Sequence, residues 1–162
     1  MADTKTNAMR ILDKAGISYT THHYEGKNGF SDGISAAEKI GKPVEYVYKT
    51  LVCRGASKTY YVFVIPVAAE LDLKAAARVV NEKSLEMVKV NEINKVTGYV
   101  RGGCSPIGMK RKYETVVDES CLLLENLIIS AGKIGSSIEL SPVDLIRITK
   151  GRLEKVILPV RS

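Results

Sequence analysis

The chain has 162 residues, 45% of them hydrophobic, and carries 24 Lys and Arg against 18 Asp and Glu for a formal charge of +6; that length supports one hydrophobic core, so residues 1–162 are expected to form a single domain. No apolar run is long enough to cross a bilayer and Met1-Ala2-Asp3-Thr4-Lys5 lacks the layout of a secretory signal, so a cytoplasmic location and no membrane partner are expected. Cys53, Cys104 and Cys121 are odd in number, scattered and free of Cys-x-x-Cys spacing, which excludes a disulfide framework and a zinc knuckle, while the basic excess suits a polyanionic partner.

In chain order, Ala8, Met9, Ile11, Leu12 and Ala15 fall at helical spacing and predict a helix over 7–15, closed by Gly16. Residues 17–24 are rich in β-branched and aromatic side chains and read as a strand, followed by a loop at Gly26, Asn28 and Gly29. Ser31 or Asp32 caps a helix running to Ile40, where Gly41 ends it. Strands over 47–53 and 59–66 form a hairpin around the turn at 54–58, and the near-continuous apolar run 60–65 marks a central strand. Asp72 caps a helix containing Leu73 to Val80, and a short helix is expected over 91–96. Strands follow at 115–117, 127–130 and 137–140, Pro142 opens a helix to Ile148, and a last strand is expected over 156–160. With no repeat, low-complexity tract or linker, the pattern is α+β: a mixed, curved sheet with helices outside it.

The run Thr97 to Gly108 gathers Gly98, Gly102, Gly103 and Gly108 around Pro106, a composition that lets backbone N–H groups come close to a ligand. Its spacing fits neither the Walker phosphate loop nor the dinucleotide fingerprint. Lys110-Arg111-Lys112 follows at once and Lys133 sits in a second glycine turn, which concentrates positive charge beside the loop.

His22 and His23, the only histidines, are adjacent on a predicted strand and point to opposite faces, so they cannot chelate one ion, and no His-based triad can be assembled. Cys104 is a candidate nucleophile by position, but Arg101 is the only nearby cation to activate it, and a small side chain beside a pocket is the better reading. Lys49 shares the odd-numbered, apolar positions of its strand with Val47, Leu51 and Cys53. An inward lysine is costly without an anion or ligand, which marks it as a functional cation.

Five segments resemble the YbaK/EbsC family of free-standing aminoacyl-tRNA editing proteins, in order and spacing, from about residue 5 to about residue 157. They are Tyr48-Lys49-Thr50-Leu51-Val52, Val64-Ile65-Pro66-Val67 with Glu70-Leu71-Asp72-Leu73-Lys74, the glycine loop, Ser130 to Gly135, and Ile138-Glu139-Leu140-Ser141-Pro142. The resemblance implies the fold of the prolyl-tRNA synthetase editing domain, a mixed, barrel-like sheet surrounded by helices. It also implies an enzyme, a deacylase that clears Cys-tRNA(Pro), or Cys-tRNA(Cys), by attack of the substrate's own thiol, with no cofactor and no metal. Its partners would be the acceptor end of tRNA(Pro) and prolyl-tRNA synthetase. Matching residue by residue, Lys49 and Gly103 would be catalytic, and Tyr24, Phe30, Gly102, Ser130 and Ser137 would bind substrate. Ser137 departs from the family pattern, which has an aspartate able to hold the substrate amine. A deacylase for alanine or another small amino acid, and a non-catalytic tRNA- or synthetase-binding module, therefore remain open.

Overall fold

The computed structural model describes residues 5–24 and 33–159, with the side chains of 33–35 left aside. Its helices are α1 (Asn7–Lys14), α2 (Gly33–Ile40), α3 (Leu73–Val79), α4 (Ile93–Thr97) and α5 (Pro142–Thr149). The strands are β1 (Thr20–His23), β2 (Tyr48–Gly55), β3 (Tyr60–Pro66), β4 (Leu85–Met87), β5 (Glu114–Asp118), β6 (Leu127–Lys133), β7 (Ser136–Leu140) and β8 (Arg152–Glu154). Caps set the helix starts: Thr6, Asp72 and Ser141 accept from the N–H groups of Met9, Ala75 and Asp144, satisfying donors that the first helical turn leaves bare.

The strands form two sheets, one of order β1-β7-β6 and antiparallel throughout, the other β4-β2-β3-β5-β8 and mixed, with β3-β5 and β5-β8 parallel. The central position expected for residues 59–66 is met, since Val62, Phe63, Val64 and Ile65 are all fully buried. Their alternation splits the core in two. Val62 and Val64 join Ala8, Leu12, Leu127 and Ile129 on one face, while Phe63 and Ile65 join Ala76 and Ala77 of α3 on the other.

Three expectations are corrected. The sheet is not a closed barrel: among the described residues the backbones of the two sheets pair only at one isolated parallel bridge, Val47 to Ile128. The last strand is Arg152–Glu154, not 156–160. Beyond it the backbone bonds to the segment before α3, with Asp72 N–H on Val156 C=O (2.7 Å) and Leu158 N–H on Glu70 C=O (2.9 Å), and Pro159 has no N–H to extend a ladder. Finally, β4 was not expected; its three residues alternate too briefly to show a period.

Candidate functional site

Six consecutive residues, Val47 to Val52, line one cavity of about 610 Å³. Neighbouring side chains on a strand point to opposite faces, so a cavity touching all six must lie at the strand's edge. That edge is where the two sheets part, between the Val47–Ile128 bridge and the first β2–β4 pair, Cys53 with Met87. The open seam of the unclosed sheet is thus the candidate site, within the volume range of small-molecule pockets.

Of the residues singled out in the sequence, Lys49, Tyr24, Gly102, Ser130 and Ser137 all line this cavity. Ser130 and Ser137 are cross-strand partners on β6 and β7 and form part of the wall facing β2. Gly103 is buried just behind the wall, and Phe30 lies outside the described residues. Residues that sequence reasoning did not place here include Thr50, Ala36, Met87, Val88, Val90 and Ile93. Only the Tyr48-Lys49-Thr50 segment carried a signal that could have found one of them.

The electrostatics of the wall are one-sided. Lys49 and Arg101 contribute cations, and among the described residues no carboxylate lines the cavity. Burial lowers the Lys49 pKa from its ordinary value, with Glu70 pulling partly the other way. Glu139, the acidic residue nearest Ser137 on the same face of β7, is engaged elsewhere: its Oε1 lies 2.7 Å from His22 Nε2 and 3.9 Å from Lys42 Nζ. It does not stand in for a carboxylate at position 137. His22 and His23 point to separate partners, Glu139 and Ser136, as adjacent strand positions require. Among the described residues no group of three or more His, Cys, Asp or Glu is placed to hold a metal ion.

Cys104 lines the cavity, but burial pushes its thiol up to about 11. At neutral pH it is a protonated, weakly nucleophilic group packed against Val52, Val88 and Val96.

The glycine loop is held by Tyr99, whose hydroxyl donates to Ile107 C=O at 2.6 Å and whose ring lies where a Cβ on Gly132 would come within 2.9 Å. Gly103 presses on the β6–β7 turn: a Cβ there would meet Lys133 Cα, Lys133 C and Ile134 N at 3.0 Å each. Its own N–H is donated to Val100 C=O at 2.9 Å, so its contribution is closeness of approach. Gly103→Val is expected to displace the loop and lower turnover about tenfold to a hundredfold, a misplacement effect on the chemistry. Steady-state kinetics with a thermal melt checks this, and an unchanged rate in a folded variant contradicts it.

A family profile described as the aminoacyl-tRNA editing domain matches residues 32–148. EbsC of Enterococcus faecalis, named as a candidate Cys-tRNA(Pro)/Cys-tRNA(Cys) deacylase, is 37% identical over 152 residues, covering 94% of this chain and 93% of its own length. YwhH of Bacillus subtilis, which has no assigned activity, is 30% identical over 110 residues, 68% of this chain and 69% of that one. A solved structure described as a candidate trans-editing enzyme for prolyl tRNA synthetase superposes with a TM-score of 0.81 at 21% identity, covering 96% of this chain and 100% of the other; it shows the shared fold. With a profile spanning most of the sequence, a relative alike across nearly its whole length and the matching fold in agreement, the chain belongs to the aminoacyl-tRNA editing domain family.

Proposed function

We propose that this protein is a cytoplasmic deacylase that clears cysteine from mischarged tRNA(Pro), acting on the acceptor end of the tRNA alone or as presented by prolyl-tRNA synthetase. One observation carries the reading: a single cavity collects Lys49, Tyr24, Gly102, Ser130 and Ser137, while the one thiol in its wall is a poor nucleophile. A site that binds an aminoacyl ester without activating a nucleophile of its own suits a substrate that brings one.

In that reaction the cysteinyl sulfur attacks the carbonyl carbon of its own ester. An S–C bond forms, the ester C–O bond breaks, and the thiol proton passes to the departing ribose oxygen, leaving tRNA with a free hydroxyl and cysteine as a four-membered cyclic thioester. Holding thiol and carbonyl in one pose supplies the effective molarity of an intramolecular reaction. The Lys49 ammonium, partly stripped of water, offsets negative charge on the ester or the terminal phosphate. Arg101, Lys110, Arg111, Lys112 and Lys133 lie on the glycine loop, just after it, or on the turn Gly103 presses against, where they meet the phosphates that lead to the 3′ end. A proline-sized synthetase pocket cannot strongly reject cysteine by sterics, which is why a second site that removes the error is needed.

The test compares cysteinyl, alanyl and prolyl esters on the same tRNA. Cysteinyl ester is expected to be released at least a hundredfold faster than the other two. Preference for the alanyl ester would instead assign water as nucleophile, and salt-dependent tRNA binding with no release of any ester would leave a binding module.

A further inference from the structure

We infer that the aminoacyl group binds as a one-residue β-strand on the open edge of β2, exchanging two hydrogen bonds with the backbone of Thr50. This rests on the deacylase reading above and goes beyond it by assigning the groups that hold the ester.

The bonds at either end of β2 fix its polarity. Val67 N–H donates to Val47 C=O at 2.9 Å and Gly55 N–H to Thr59 C=O at 2.8 Å. In an antiparallel pair such bonds recur at every second residue, so the Val47 C=O, both backbone groups of Lys49, Leu51 and Cys53, and the Gly55 N–H face β3. The even-numbered residues turn theirs to the opposite edge, as Val52 C=O does in accepting from Val88 N–H at 2.9 Å. Thr50 stands midway between the bridge to β6 and the first pair with β4, and no strand among the described residues pairs with it. Its N–H and C=O therefore face the cavity. An independent observation points the same way: Thr50 Oγ1 is buried and has no hydrogen-bond partner, a state that costs stability unless a ligand completes it.

An aminoacyl ester carries what this edge lacks. Its carbonyl oxygen is an acceptor and its α-amine a donor, in the 1,3 relation of N–H and C=O within one peptide residue. A residue in the hydrogen-bonded register of an antiparallel pair uses both groups on one partner, so the Thr50 N–H donates to the ester carbonyl and the amine donates to Thr50 C=O. The first bond strengthens as charge builds on that oxygen, which gives the reaction a carbonyl donor where the Gly103 N–H is committed to Val100. The second holds an amine in a wall that, among the described residues, has cations and no carboxylate. Lys49 and Thr50, on opposite faces of β2, then flank the bound group.

Thr50→Pro deletes the N–H without removing a bond of the ladder to β3, a substitution that a strand tolerates where its N–H side is unpaired. Deacylation of Cys-tRNA and of the 3-mercaptopropionyl ester, which keeps the thiol and lacks the amine, is measured for wild type, Thr50→Pro and Thr50→Val, with a thermal melt of each. Expected are a loss of about a hundredfold in kcat for Thr50→Pro, a smaller loss for Thr50→Val, which removes only the hydroxyl, and a KM about tenfold higher for the amine-free ester on wild type. A folded Thr50→Pro within threefold of wild type overturns the proposal, and if that variant does not fold, equal handling of the two esters by wild type does so. Failure of wild type to cleave any thiol-bearing ester would instead remove the deacylase reading on which it stands.

Discussion

Lys49→Met is expected to reduce deacylation by at least about a hundredfold while raising the melting temperature, by a small amount because solvent screens the half-buried ammonium. Both effects come from one cause. Burial of the ammonium at the cavity edge lowers its pKa, so folding pays for desolvating a charge that the described residues offset only through Glu70. Methionine keeps the length of the stem and removes that penalty. Because the folded-state pKa lies below the unfolded value of about 10.5, the penalty is fully present at neutral pH. It fades as pH rises through the folded pKa, where the unfolded chain binds more protons and stability increases. The gap in melting temperature between wild type and Lys49→Met should therefore narrow between neutral pH and pH about 10. A variant that melts lower than wild type at pH 7, or that keeps wild-type turnover, contradicts the assignment.

Much of this architecture was legible in the sequence because local chemistry decides it. Asp72 caps its helix and Pro142 opens the first turn of another as their residue types predict, and the unbroken apolar run from Tyr60 to Ile65 identifies the strand buried on both faces. Lys49 stood out through period-two alternation, since it shares the inward face with Leu51 and Cys53. What stayed hidden depends on tertiary geometry. Whether the sheet closes is decided by whether β2 and β6 pair beyond Val47 and Ile128, and no residue signals that their ladder stops at one bridge. The same gap makes a cavity wall of Met87, Val88 and Ile93, ordinary apolar residues with no chemical marking. Gly103 was conspicuous as a glycine, yet the reason for it, backbone contact with Lys133 and Ile134 some thirty residues away, is visible only in the fold.

Replacing the substrate thiol has the largest effect the account predicts, because it removes the nucleophile and leaves the binding groups in place. Cys104→Ala, by contrast, should stay within about threefold of wild type, since its thiol is held up to about 11 by burial and serves as packing. The most direct measurement is single-turnover release of tRNA from cysteinyl and S-methylcysteinyl esters of the same tRNA at saturating wild-type protein. Rapid release of the first and background release of the second, with comparable binding of both, is the predicted result. Equal release of the two esters would show that water or a protein group attacks the carbonyl, and that the substrate's sulfur is not the nucleophile.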